Sequence, residues 1–79
     1  MEETEETRLE RGDEGSEVSE LQETLIGLRF KPGEVDGVFG VLTESALKMF
    51  QATAQLEADG ILGPRTREKL DEIAAQEEA

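Results

Sequence analysis

The sequence predicts an all-α fold, a compact three-helix domain, and two observations lead to it. Apolar residues recur at helical spacing in three separate stretches of the chain, which is the pattern of helices that bury one face. A D-G-x-x-G-x-x-T phrase also stands before the second and the third stretch, at residues 36–43 and again at residues 59–66. The phrase predicts two pseudo-repeated loop-helix units that pack around one core.

The first helix is predicted at about residues 16–29. Ser16 can accept a hydrogen bond from a backbone N–H group of the first turn, so it is the predicted N-cap. The helix must end before Pro32, because the residue that precedes a proline avoids helical angles. Four apolar residues form a single stripe along this helix: Val18, Leu21, Leu25 and Leu28.

The second and third helices are each predicted to begin at the second glycine of the phrase. Pro64 is favoured at the first position of a helix, where its missing N–H group would have no partner. Gly63 is therefore the predicted cap of the third helix and Thr66 its third residue. The repeat assigns the same two places in the second helix to Gly40 and Thr43. The inward faces are predicted from apolar residues of both helices: Ala46, Leu47, Phe50, Ala54, Leu70, Ile73 and Ala74.

The phrase itself is predicted to be structural. Its first glycine permits a positive φ in a tight turn, and its two middle residues, apolar in both copies, are expected to tuck beneath the helix end. Asp36 and Asp59 are predicted to accept hydrogen bonds from backbone N–H groups of the turn and from the threonine hydroxyl. A pair of catalytic carboxylates is the weaker interpretation of these two residues. A calcium site that includes Glu44 is also disfavoured, because the dense alternation of oxygen ligands in a calcium loop is missing.

The composition disfavours several classes of function. The chain has 79 residues, a formal charge of −12 and neither histidine nor cysteine. A negative field repels phosphate backbones and anionic lipids, so neither nucleic acid nor a membrane is an expected partner. Without histidine and cysteine, the chain lacks the commonest general base and the usual ligands of structural zinc. We expect no enzyme activity, no cofactor and no metal.

Three motifs in a fixed order resemble a known family. They read G-x-x-G-x-x-V-x-x-L-Q-x-x-L from Gly12, V-D-G-x-F-G-x-x-T-x-x-A-L-x-x-F-Q from Val35, and A-D-G-I-x-G-P-x-T-x-x-x-L from Ala58 to Leu70. This arrangement resembles the short, three-helix type of peptidoglycan-binding domain. The resemblance implies a non-catalytic module that tethers a cell-wall hydrolase to its substrate. The implied partner is the glycan strand or the stem peptide of peptidoglycan.

The chain departs from the family pattern in three respects. Arg29 stands where the family often has glycine, Gln55 replaces the glycine that usually ends the second helix, and no tryptophan or tyrosine is present. The lack of stacking aromatics, the acidic surface and the lack of an export signal favour an alternative. In that alternative the same fold is a protein–protein interaction module, such as a phage particle component, a propeptide or an assembly adaptor, and binds no glycan.

A ligand groove, if the chain has one, is predicted between the first turn and the first helix. The predicted ligand-binding residues are Arg29, Phe30, Asp36, Gly37 and Thr43, together with Arg65 from the second turn. Arg65 belongs to the set because a guanidinium can clasp a carboxylate of a stem peptide or of a protein partner. A solvated basic patch formed with Arg67 is the favoured alternative interpretation of Arg65.

The N-terminal stretch is acidic and has no apolar run. It predicts a flexible tail over residues 1–11 and places the folded domain at residues 12–79. Neither a signal peptide nor a membrane-spanning stretch is recognisable. We therefore expect the chain in the cell wall or outside the cell only if it is exported as part of a larger protein.

Overall fold

The structure is a computed structural model that describes residues 8–78, without the side chains of the last two. It contains three helices: α1 (Ser16–Gly27), α2 (Val41–Thr53) and α3 (Pro64–Glu78). The all-α prediction is confirmed, and α2 and α3 begin directly after the predicted caps, Gly40 and Gly63. Over residues 8–78 the β pairing consists of isolated bridges, Leu9 with Leu62 and Glu14 with Val38. No helix in this part of the chain is long and apolar enough to cross a membrane.

The N-cap of α1 differs from the prediction, although the helix begins at residue 16 as predicted. Its N-cap is Gly15, so no side chain caps the helix, and Ser16 is the first helical residue. Gly15 has a φ of 134°, a conformation that side-chain-bearing residues rarely adopt. Its N–H group bonds the Gly37 carbonyl oxygen at 2.9 Å. The segment before α1 is thus fixed by a contact with the first turn, and Ser16 is one position too late to cap the helix.

The end of α1 also differs, since the helix stops at Gly27 and not at residue 29. Arg29 has a left-handed conformation, with φ 76°. The N–H groups of Arg29 and Phe30 bond the carbonyl oxygens of Ile26 and Leu25, at 2.9 and 2.8 Å. This pair of bonds is a Schellman motif, which satisfies carbonyl groups that a helix end leaves unpaired.

α2 ends in the same way. Gln55 has φ 65°, and the N–H groups of Gln55 and Leu56 bond the carbonyl oxygens of Ala52 and Gln51, at 3.1 and 2.7 Å. The helix therefore ends at Thr53. Both departures from family glycines, Arg29 and Gln55, lie at the left-handed position that glycine favours.

A single core lies where α1 packs against α2 and α3. Only the second middle residue of each phrase is fully buried, Phe39 in the first and Leu62 in the second, whereas Val38 is 45% exposed. The prediction that both middle residues tuck beneath the helix is wrong for Val38, because successive side chains of extended backbone point to opposite sides. The buried hydrophobic residues are Leu9, Val18, Leu21, Leu25, Phe39, Ala46, Leu47, Phe50, Leu62 and Leu70.

The N-terminal segment packs more closely than predicted. Leu9 is 6% exposed and belongs to the core. Its N–H group bonds the Leu62 carbonyl oxygen at 3.0 Å and its carbonyl oxygen accepts the Leu62 N–H group at 2.8 Å. The predicted tail over residues 1–11 therefore extends too far, because one apolar side chain in an acidic stretch is enough to join the core. Residues 1–7 of that tail lie outside the described residues.

Candidate functional site

The first turn is held by one buried side chain of α1. Gln22 Nε2 has three acceptors close to it: Asp36 Oδ1 at 3.1 Å, the Val38 carbonyl oxygen at 3.0 Å and Thr43 Oγ1 at 3.0 Å. Gln22 Oε1 accepts the Gly37 N–H group at 3.0 Å. Because Gln22 is 1% exposed, its amide group is shielded from water. They tie the turn to α1 and to the first turn of α2.

The second turn repeats this arrangement with a glutamine of α2. Gln51 Nε2 lies 3.0 Å from Asp59 Oδ1, 3.0 Å from the Ile61 carbonyl oxygen and 3.1 Å from Thr66 Oγ1. Gln51 Oε1 accepts the Gly60 N–H group at 2.9 Å. Each helix therefore carries the glutamine that fixes the turn leading into the next helix.

The aspartates and threonines behave partly as predicted. Asp36 Oδ1 accepts the Val38 N–H group at 3.0 Å, and Asp59 Oδ1 accepts the Ile61 N–H group at 2.9 Å. The predicted acceptance of turn N–H groups is confirmed. The predicted bond from the threonine hydroxyl to the aspartate is replaced by the glutamine amide, which donates to both.

Sequence reasoning missed Gln22 and Gln51 as the centres of the two turns. A signal was present: each glutamine directly follows a core residue, Leu21 or Phe50, on a helix face that is mainly apolar. A polar residue on a buried face must have hydrogen-bonding partners there. The two acceptor-rich turns were the nearest source of such partners.

The hydrogen bonds of the first turn also affect ionisation. They lower the pKa of Asp36 below its ordinary value of 3.8, mainly through the Val38 N–H group and secondly through the Gln22 amide. Both groups donate to the carboxylate and so favour its ionised form. The side chain of Asp36 lies at the surface and is negative at neutral pH.

A depression lies beside each turn, and the repeat relates the two. The first depression, beside the Asp36 turn, has a volume of about 480 Å³, and the second depression, beside the Asp59 turn, about 360 Å³. Nine lining positions correspond at a shift of 23: residues 32–34, 36, 38 and 40–43 in the first and 55–57, 59, 61 and 63–66 in the second. The duplicated phrase therefore builds duplicated surface features.

The two depressions differ in chemistry. The first has exposed apolar side chains, including Val41 and Leu42, and its charged lining residues, Glu34 and Asp36, are both acidic. The second is lined by side chains of both charges: two arginines, Arg8 and Arg65, and two acids, Glu57 and Asp59. Leu42 and Arg65 occupy the same position of the repeat. The second depression thus gains one arginine by exchange within the repeat and a second, Arg8, from outside the repeat.

The predicted ligand-binding residues are distributed over several places. Asp36 and Thr43 line the first depression and Arg65 lines the second. Gly37 is buried beneath the first turn, where its N–H group bonds Gln22. The remaining two residues lie at the end of α1: Arg29 is exposed, and Phe30 is half-buried with its ring edge-on to Phe50 at a centroid distance of 6.0 Å.

Metal ligation has no basis in the described side chains. Over this part of the chain no group of three histidine, cysteine, aspartate or glutamate residues could hold a metal ion. The acidic side chains at the turns instead act through hydrogen bonds.

Known proteins share this architecture and identify its family. A family model described as "Putative peptidoglycan binding domain" matches residues 14–70. A spore cortex-lytic enzyme of Oceanobacillus iheyensis is 44% identical over 62 residues, which are 78% of this chain and 22% of that enzyme. The chain thus spans about a quarter or less of the first curated relatives that it matches.

Solved structures share the fold. The N-terminal domain of SleB has a TM-score of 0.82 and 40% identity, over 85% of this chain and 92% of that one. A peptidoglycan-binding protein from Clostridioides difficile, solved with glutamine hydroxamate, has a TM-score of 0.81 and 36% identity, over 85% of this chain and 42% of that one. The match over residues 14–70 includes both glutamines and both turns, so the chain belongs to the peptidoglycan-binding domain family of cell-wall binding modules.

Proposed function

We propose that this chain is a non-catalytic module that binds peptidoglycan through the surface formed by its two glutamine-bridged turns. The observation that carries the proposal is the pair of equivalent depressions, whose nine corresponding positions in each copy lie within the family match. Each depression has a floor fixed by buried hydrogen bonds. A preorganised surface of this kind loses little conformational entropy when it binds a polymer.

The non-catalytic part of the proposal follows from the side chains at the turns. Hydrolysis requires a nucleophile or a general base that is positioned for proton transfer. Asp36 Oδ1 and Asp59 Oδ1 each accept two hydrogen bonds, one from a backbone N–H group of the same turn and one from the glutamine of the preceding helix, and the chain has no histidine or cysteine. We expect the isolated chain to release neither reducing ends nor amines from purified cell walls. Such activity, if it survives repurification, contradicts this part of the proposal.

The first depression is the proposed contact for the apolar parts of the polymer. Val38, Val41 and Leu42 expose apolar surface there, which suits the methyl groups of acetamido and lactyl substituents. The exposed Asp36 carboxylate offers an acceptor to sugar hydroxyl groups. Gly37 and Thr43 serve in this proposal as the support of the turn, since both are buried and bonded to Gln22.

Arg29 and Phe30 are not assigned to binding in this proposal. Phe30 packs on the core and Arg29 fills the left-handed position at the end of α1. Neither lines the first or the second depression.

A retention experiment tests the proposal. The chain is incubated with insoluble peptidoglycan, stripped of teichoic acids, over a range of salt concentrations, and the bound fraction is measured. We expect retention that persists at moderate salt and is competed by soluble muropeptides, because charges on an acidic protein would only weaken binding at low salt. Absence of retention at every salt concentration contradicts the proposal and favours the protein-binding alternative.

A matched pair of variants locates the contact. Leu42 and Met49 both lie on α2 and are 61% and 59% exposed; Leu42 lines the first depression, whereas Met49 lines neither the first nor the second. Leu42→Ser should lower retention and Met49→Ser should leave it unchanged. Equal retention of both variants and the parent would place the contact elsewhere on the surface.

The lengths of the relatives support a proposal for the cellular role. Since the chain corresponds to about a quarter or less of the first curated relatives, we propose that it acts within a larger cell-wall protein, in the wall or outside the cell. There it would hold a separate catalytic domain near its insoluble substrate.

A further inference from the structure

We infer that the second depression recognises a zwitterionic amino-acid end of a peptide, such as the free end of a diamino acid in a peptidoglycan stem peptide. This inference rests on the proposed function, because it assigns one part of the polymer to one part of the binding surface. It concerns the depression in which Arg65 takes the place of Leu42 in the repeat.

The charges of the second depression come from separate elements. Arg65 is the second residue of α3, whereas Arg8 precedes Leu9, whose backbone is fixed to Leu62 by two hydrogen bonds. Glu57 and Asp59 belong to the segment between α2 and α3. The Leu9 bridge therefore brings a distant arginine to a surface that already has one arginine and two acids.

Among the described side chains, none of these four charged groups forms an ion pair with another. The ion pairs among the described side chains are Arg11 with Glu44 and Lys69 with Glu72, both outside the second depression. Two guanidinium groups and two carboxylates thus line the same depression, of about 360 Å³, without an ion pair between them. A ligand that carries one charge of each sign can meet both.

Charge complementarity favours a zwitterion over a simple anion or cation. The chain carries a net charge of −12, so a bare anion is repelled by the whole protein. A simple cation is repelled by the two guanidinium groups of the depression. A zwitterion presents its carboxylate to the arginines, where planar bidentate hydrogen bonds form readily, and its ammonium group to Glu57. Glu57 suits this role better than Asp59, whose Oδ1 already accepts bonds from Gln51 and Ile61.

The test uses a soluble disaccharide-tripeptide muropeptide whose third residue is meso-diaminopimelate with a free amino-acid end. Two capped forms serve as probes. In one, the carboxylate of that free amino-acid end is amidated; in the other, the amine of the same end is acetylated. Affinity is measured by calorimetry at fixed salt. We expect the parent chain to bind the uncapped form about tenfold more tightly than either capped form, which is the usual effect of one charge-assisted contact.

Variants of the depression are compared with a matched control. Arg65→Leu should lower affinity for the uncapped form about tenfold, to the level of the amidated form. Lys31→Leu removes the same charge outside both depressions and should bind like the parent. Glu57→Gln should abolish the preference over the acetylated form only. Circular dichroism checks folding, and leucine is tolerated at the equivalent position, where Leu42 is 61% exposed.

The outcomes separate this inference from the proposed function. Equal affinity of the parent chain for all three probes, or an Arg65→Leu variant that binds like Lys31→Leu, overturns the inference while retention on insoluble peptidoglycan still stands. Failure of the parent chain to bind either peptidoglycan or any muropeptide overturns both.

Discussion

Gln22 Nε2 and Asp36 Oδ1 are 3.1 Å apart although 14 positions separate the two residues. The same contact joins Gln51 to Asp59 at 3.0 Å. In each case a side chain from the preceding helix satisfies polar backbone groups of the turn that water does not reach. The shape of each turn therefore depends on its glutamine as much as on its own glycines.

Removal of the first glutamine should be strongly destabilising. Gln22→Ala leaves the buried Gly37 N–H group without its acceptor and Thr43 and the Val38 carbonyl oxygen without a donor. We expect the free energy of unfolding to fall by about 3 kcal/mol, since an unsatisfied buried polar group costs ~1–3 kcal/mol. Chemical denaturation followed by circular dichroism measures it. Gln76→Ala, at an exposed position, is the control and should change stability by less than about 0.5 kcal/mol. A Gln22→Ala variant as stable as this control would contradict the bridging role.

The two aspartates should contribute through an oxygen acceptor and not through charge alone. Asp36→Ala and Asp59→Ala are each expected to lower the free energy of unfolding by about 0.5–2 kcal/mol, the usual cost of a lost capping oxygen. The asparagine variants retain an acceptor and should lose less. Thermal and denaturant melts compare all four. If the alanine variants melt like the parent but fail to bind muropeptides, Asp36 and Asp59 act in ligand contact instead.

Acidification should weaken the first turn through Asp36. Its pKa is lower in the folded chain than the ordinary value of 3.8, so its ionised form favours folding. This contribution is fully present above the ordinary value and is lost as the pH falls through the lower, folded value. The stability difference between the parent and Asp36→Asn should therefore shrink with falling pH over that window. NMR titration of the Asp36 carboxyl carbon gives the folded pKa directly. A value at or above 3.8 would refute the hydrogen-bonded description of the turn.

Local sequence signals are sufficient to predict the three helices and the caps of α2 and α3. Pro64 and the repeat placed Gly40 and Gly63 at the caps, because proline and glycine restrict or extend backbone freedom in ways that are independent of context. The positions that failed depend on distant contacts. Gly15 replaces Ser16 as a cap because its N–H group bonds Gly37, and Leu9 joins the core through Leu62.

The predicted ligand-binding residues also depend on local signals, which do not show which surface each residue joins. Asp36 and Thr43 do share one depression, since the phrase that contains them forms a single turn and helix start. Arg65 lines an equivalent depression instead. The equivalence of the two depressions becomes visible only when the lining residues are compared across the repeat, because each includes residues that precede the phrase.

Restoring glycine at the two helix ends should stabilise the fold. Arg29 and Gln55 have φ angles of 76° and 65°, a region that costs residues with a side chain roughly 1 kcal/mol relative to glycine. Arg29→Gly and Gln55→Gly should each raise the free energy of unfolding by up to about 1 kcal/mol, with the unfolded-state entropy of glycine offsetting part of the gain. Denaturant melts measure the change.

Alanine at the same two positions is the control for this prediction. Arg29→Ala and Gln55→Ala keep the strained conformation and lose the side chain, so they should not be stabilising. A gain in stability as large for alanine as for glycine would show that the side chains, and not the backbone conformation, are the cause.

The N-terminal segment should be part of the cooperative unit because of one side chain. Leu9 is buried against the core and bonded to Leu62, so Leu9→Ala should lower the free energy of unfolding by about 2–5 kcal/mol, as for other buried leucines. Ile26→Ala removes an apolar side chain that is 47% exposed and should cost far less. Hydrogen exchange of the Leu9 and Leu62 amides tests cooperativity directly, since both should exchange only through global unfolding. Fast exchange at Leu9, together with a parent-like melt of Leu9→Ala, would instead return this segment to the tail and remove Arg8 from the second depression.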